Sequence, residues 1–130
     1  DSLGNKGWAN GSGTSAYHTS TGLTSLITGQ SNTVSLSTMY TDTDAARYCA
    51  NMVYPAGGYT DWYLPAREEL NLVLYGMHLA GRGNFSTSNW YWSSSEQGPN
   101  NGWAKIFTDG SYFNCEKPNN HIVRCVRRYL

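Results

Sequence analysis

Apolar positions are sparse in the first third of the chain and regularly spaced only after residue 41. Residues 1–37 are dominated by Gly, Ser, Thr and Asn, with Trp8 and Tyr17 as the only early large side chains. Leu23, Leu26 and Ile27 form a small apolar cluster, and Val34 and Leu36 alternate as in a short strand. This region reads as long loops, and loops of that length are uncommon in compact domains unless they serve a function. Thr41-Asp42-Thr43-Asp44 then supplies N-cap chemistry for a helix that places Ala45, Tyr48 or Cys49, and Met52 on one face. Pro55 and Gly57-Gly58 end it. A second helix starts near Pro65, carries Leu70, Val73, Leu74 and Met77 inward, and stops at Gly81 and Gly83.

The C-terminal half changes to strand spacing. Trp90, Tyr91 and Trp92 are strong β-formers, and in a strand Trp90 and Trp92 share one face while Tyr91 takes the other, so at least one face is core. A loop at Gly98–Gly102 separates them from a strand over 103–107, and Asp109-Gly110 makes a hairpin turn into a strand over 111–115. After a turn at Pro118-Asn119-Asn120, a last strand runs from Ile122 to Tyr129. Loops, two helices and a short antiparallel meander make an α+β domain. A single domain over residues 1–130 fits the length, with 1–21 as a linker or N-terminal loop from a longer protein.

Composition narrows the class. Nine basic and nine acidic residues cancel, which argues against a nucleic-acid binder. Charge is nevertheless uneven, because Lys117, Arg124, Arg127 and Arg128 close the chain with no acid among them. No apolar run approaches the roughly 20 residues that span a membrane. Five Trp and ten Tyr in a Gly-, Ser- and Asn-rich background suit an extracellular binding domain, although most aromatics are expected in the core. The three cysteines, Cys49, Cys115 and Cys125, have no zinc-type spacing. In an exported protein, Cys49–Cys125 would pin a helix to the last strand; Cys115–Cys125 across a terminal hairpin, or three reduced thiols, are the alternatives.

Several motifs together carry a family resemblance. Ala46-x-x-Cys49, Tyr59-Thr60-Asp61-Trp62-Tyr63-Leu64-Pro65 and Glu69-Leu70-Asn71-Leu72 form the first half. Tyr91-Trp92-Ser93-Ser94-Ser95-Glu96, the strand at Trp103, and Val123-Arg124-Cys125-Val126-Arg127 form the second. In this order, over residues 22–130, the chain resembles the family typified by the C-terminal domain of the Legionella collagen-like adhesin. The resemblance implies a C-type-lectin-like fold akin to the formylglycine-generating-enzyme superfamily. It implies a secreted, cell-surface or virion-tail setting, often at the tip of a fibre, pilus or tail and sometimes as a homotrimer. It also favours the Cys49–Cys125 pairing. Two departures stand out: Ala66 occupies a position where relatives often carry a capping Ser, and Cys115 is extra.

The chemistry left by these residues is binding rather than catalysis. His18, His78 and His121 lie in unrelated segments, and no nucleophile elbow surrounds Ser93–Ser95, which read as structural hydrogen-bonding groups. Nine scattered acids are a poor supply for a calcium ion, which wants six to eight oxygen ligands. No cofactor is expected. Metal-free sugar recognition needs aromatic faces beside amides, which Trp90, Trp103, Tyr112, Asn100 and Asn119 could provide. Arg124 and Arg128 share a strand face and would suit sulfated or phosphorylated glycans. The expected function is therefore a non-enzymatic adhesin or receptor-binding tip domain for host or bacterial surface glycans. The alternative is a structural assembly domain of a pilus, fibre or phage tail.

Overall fold

The fold is built around a strand buried on both faces. The protein is described by a computed structural model for residues 2–7, 25–39, 44–98, 101–117 and 119–127. Strand β1 (Ser2–Gly7) is followed by helices α1 (Gly29–Met39) and α2 (Asp44–Ala50). Helix α3 (Arg67–Glu69) runs through a π-helical turn (Leu70–Leu74) into α4 (Tyr75–Leu79). Strands β2 (Trp90–Glu96), β3 (Asn101–Ile106), β4 (Tyr112–Glu116) and β5 (Asn120–Arg124) complete the order. The sheet reads β1-β5-β2-β3-β4. The α+β class holds, but the expected meander does not: β5 leaves β4 and pairs in parallel with β2, at Tyr91 and Ile122. That crossover puts two strands between Cys115 and Cys125, and Cys125 bonds Cys49 instead. Cys115 is a free, half-buried thiol.

Trp92 anchors one core with Leu36, Cys49, Leu64 and Val123 under α1 and α2. Tyr91 anchors the other with Leu70, Leu74, Phe107 and Ile122 under α3 and α4. Both strand faces are thus apolar, where at least one was required.

Helix α1 replaces the expected loop and short strand. It was hidden because its inward face is polar: Asn32 and Thr33 are buried beside Leu36, so the apolar period that marks a helix is missing. Those polar groups are satisfied. The amide of Asn32 donates to Ser25 O (3.0 Å) and Ser94 Oγ (3.3 Å), and Thr33 Oγ1 accepts from Leu64 N (2.9 Å). The N-cap expected at Thr41–Asp44 lies mainly outside the described residues.

The helix from Arg67 to Leu79 also departs from its expected face. Leu70 and Leu74 are buried, but Val73 is 55% exposed and Met77 41%. A π turn takes more residues per revolution than an α turn, so the four-residue spacing stays on the core and the three-residue spacing swings outward.

Where the helix begins, Ala66 offers no cap hydroxyl, and Ser95 and Glu69 do its work. Ser95 Oγ accepts from Arg67 N (3.1 Å) and donates to Ser25 O (2.6 Å). Glu69 Oε1 accepts from Ala66 N and from Gly29 N, each at 2.9 Å, so one carboxylate serves the starts of two helices. A Cβ on Gly29 would meet that oxygen at 2.2 Å, which restricts the position to glycine. Ser94 N donates to Pro65 O at 2.8 Å. The serines of β2 are structural, as the sequence suggests.

Removing Glu69 strands two partly buried amide donors. Glu69→Ala should lower unfolding free energy by about 2–4 kcal/mol, with Glu69→Gln milder because one acceptor oxygen remains. Chemical denaturation would read both as shifted midpoints at unchanged slope.

His121 on β5 lies edge-on to Trp92 at 4.8 Å, with Nε2 buried and without a hydrogen-bond partner among the described residues. Burial pushes its pKa below the ordinary imidazole value. The unfolded chain therefore takes up a proton first as pH falls through about 6.5. Stability should be full above that pH and decline below it, until the folded histidine also titrates. His121→Gln should flatten this part of a stability–pH curve.

Candidate functional site

The predicted contact residues do not form one patch. Trp90 lies on the α1/α2 side of the sheet, packed edge-on against the exposed ring of Phe113 at 4.8 Å. Trp103 lies two residues from Lys105, whose β2 partner Tyr91 faces α3 and α4, so Trp103 is on the opposite side. Asn119 is exposed in the turn before β5, its N–H donating to Glu116 O at 3.1 Å. Asn100 and Arg128 lie outside the described residues.

The rings of Trp103 and Tyr112 are engaged within the protein. The guanidinium carbon of Arg67 lies 4.7 Å from the Trp103 ring centre and 4.5 Å from that of Tyr112. Lys105 Nζ lies 4.9 Å from Tyr112 and 4.6 Å from Tyr75. Two cations and three rings thus tie α3 and α4 to β3 and β4. Lys105 is fully buried and donates to Asn71 Oδ1 (2.9 Å) and to Gly110 O. Burial lowers its pKa. Arg67 pairs with Glu68 at 3.0 Å, while its Nε is buried with no hydrogen-bond acceptor among the described residues and its guanidinium lies over ring faces.

Arg124 occupies a different setting. It lines a groove of about 400 Å³ between the helix and the chain leaving β5, with Trp62, Val73, Met77, Phe85 and Arg127 among the walls. The residues that the π turn swung off the core, Val73 and Met77, are part of its apolar side. The Arg124 guanidinium sits 4.6 Å from the Phe85 ring centre and has no carboxylate partner among the described residues. Glu69 also lines the groove, but its oxygens accept from Gly29 N, Ala66 N and the hydroxyl of Tyr63 (3.3 Å). Arg127 is held by Asp61 through Nε (2.7 Å) and Nη2 (3.2 Å). The groove therefore offers an apolar wall and, among the described residues, one cation without a carboxylate partner. Val73 and Met77 could not be placed here from spacing alone, because the α-helical period assigns both to the core.

Cys125 lies in the groove wall and is bonded to Cys49, with Cα atoms 5.4 Å apart. The expected pairing is the one formed. No group of three or more His, Cys, Asp or Glu among the described residues is arranged to hold a metal ion. No helix among them is long and apolar enough to cross a membrane.

A family model described as the Lcl C-terminal domain matches residues 8–127. No curated protein and no solved structure matches the chain.

The stacked rings make a stability test necessary before any ligand test. Tyr112→Leu should cost about 1–2 kcal/mol in denaturant unfolding, since two cations lose a ring face, whereas Tyr112→Phe should stay within about 0.5 kcal/mol. Trp103→Ala should likewise weaken folding.

Proposed function

The chain belongs to the Lcl C-terminal domain family, and on that premise we propose that it is a non-enzymatic, adhesin-associated extracellular domain whose groove binds an anionic cell-surface glycan. The family and the Cys49–Cys125 disulfide both fit an extracellular setting. The observation that carries the ligand class is Arg124. It is half-buried against Phe85, faces a groove, and has no carboxylate partner among the described residues. A planar guanidinium so held is preorganised for a sulfate, phosphate or carboxylate, which it can engage through two parallel hydrogen bonds. The apolar wall suits the C–H face of the sugar that carries the anion. Presentation as a homotrimer on a fibrous stalk would multiply one weak contact into useful avidity.

A second reading, a structural assembly domain, is favoured by Leu72 and Leu79. They are 72% and 69% exposed on the same helix as Val73 and Met77. Exposed apolar rows of this kind mark interfaces.

One set of samples separates the two. Arg124→Ala should weaken binding to an immobilised sulfated polysaccharide by about tenfold, close to 1.4 kcal/mol. Binding should fall with added salt and vanish on the desulfated polymer. Equal binding to both polymers would sink the anionic reading. A stable oligomer that Leu72→Glu disperses, together with no polysaccharide binding, would favour assembly.

A further inference from the structure

The turn from Tyr54 to Trp62 carries a second arrangement suited to sugars, which the expected contacts did not include. Tyr54 N donates to Tyr59 O (3.2 Å), Gly58 N to Pro55 O (2.7 Å), and Trp62 Nε1 to Tyr54 O (3.2 Å). The turn is therefore cross-braced. A Cβ on Gly58 would meet Pro55 O at 2.8 Å, so the tight approach needs glycine. On this frame Tyr59 remains 52% exposed although Arg127 lies over its ring at 3.6 Å. Beside it, Arg127 and Asp61 form a two-point ion pair whose side chains are 28% and 44% exposed. Asp61 also lines a cleft of about 230 Å³ with the polar side chains of Gln30, Ser37, Thr38 and Thr60.

We propose that Tyr59, Asp61 and Arg127 form a subsite for a neutral pyranose unit. The open part of the Tyr59 ring would take the C–H face of the sugar. The carboxylate of Asp61 would accept from one or two adjacent hydroxyls, and Arg127 would donate to a third oxygen. A protein-bound sugar must exchange water for such paired donors and acceptors, because polar groups left unsatisfied on binding are costly. The ion pair provides both kinds without net charge, and it is already assembled, so little ordering is needed on binding. Arg127 holds the Asp61 carboxyl below its ordinary pKa through their hydrogen bonds, which keeps it an acceptor in mildly acidic conditions. The charge balance distinguishes this subsite from the groove. An added anion would have to compete with Asp61 for Arg127, whereas a neutral sugar bridges both. Arg127 and Trp62 also line the groove, so the subsite adjoins it and deepens the glycan reading by giving the ligand a neutral unit.

Saturation-transfer NMR on the whole chain with lactose, cellobiose and mannobiose tests the subsite. At least one disaccharide should receive transfer, with a signal unchanged between low and high salt. Tyr59→Ala should reduce affinity about tenfold or more, Tyr59→Phe should retain it, and Asp61→Asn should weaken it. Circular dichroism on the same samples shows that each variant is folded. Absence of transfer from all three sugars overturns the proposal, as does full transfer to folded Tyr59→Ala. A signal that falls with salt also overturns it, since that would place binding at an uncompensated cation. Loss of sulfated-polysaccharide binding alone would defeat the groove reading and leave this one standing.

Discussion

The segment Leu64-Pro65-Ala66 is irregular backbone in a buried place, and the rest of the domain is arranged to satisfy it. All three residues are buried, and unpaired peptide groups there would cost as much as lost hydrogen bonds. Three elements answer. Thr33 of α1 binds both polar backbone groups of Leu64. Ser94 on β2 takes Pro65 O, and Glu69 takes Ala66 N from within the helix it starts. Ser95 then caps Arg67. The polar inner face of α1, the serine run of β2 and the glycine at position 29 are consequences of that one crossing.

The legibility of the chain follows the same division. The run from Tyr59 to Leu70 and the run from Tyr91 to Glu96 are specific because each residue answers a partner elsewhere, and they carried the family resemblance that the match over residues 8–127 supports. The disulfide was readable through that resemblance. Helix α1 was not, since Asn32 and Thr33 occupy the positions where an apolar period would have revealed it. The placement of Val73 and Met77 was equally opaque, because a π turn leaves no composition signal and changes which positions share a face. The crossover of β5 was hidden too: a parallel return between β1 and β2 depends on which faces β2 must bury, and the local turn at Asn119-Asn120 looks the same either way.

Reading aromatics as binding residues depended on whether their faces are free. Trp103 and Tyr112 look like a platform in the sequence, yet Arg67 and Lys105 sit over their faces. Their function in the fold is adhesive, drawing the start of the helical segment onto the edge of the sheet. The segment that looked like frame, Tyr59 to Trp62, carries an aromatic ring, Tyr59, that is 52% exposed.

The distribution of cations gives the last step. A chain with few charges can bury them only when each is matched. Lys117 is buried against Glu96 at 2.6 Å, Lys105 against an amide, a carbonyl and two rings, and Arg67 between rings beside Glu68. Arg127 is matched on the surface by Asp61. Arg124 differs, being partly withdrawn from water and set against the face of Phe85 with no carboxylate partner among the described residues. A guanidinium in that setting keeps most of its hydrogen-bonding capacity directed outward. Arg124 therefore presents outward-directed donors at the groove in a domain whose formal net charge is zero. Selectivity for an anion can arise there without the broad positive field that would also attract nucleic acid.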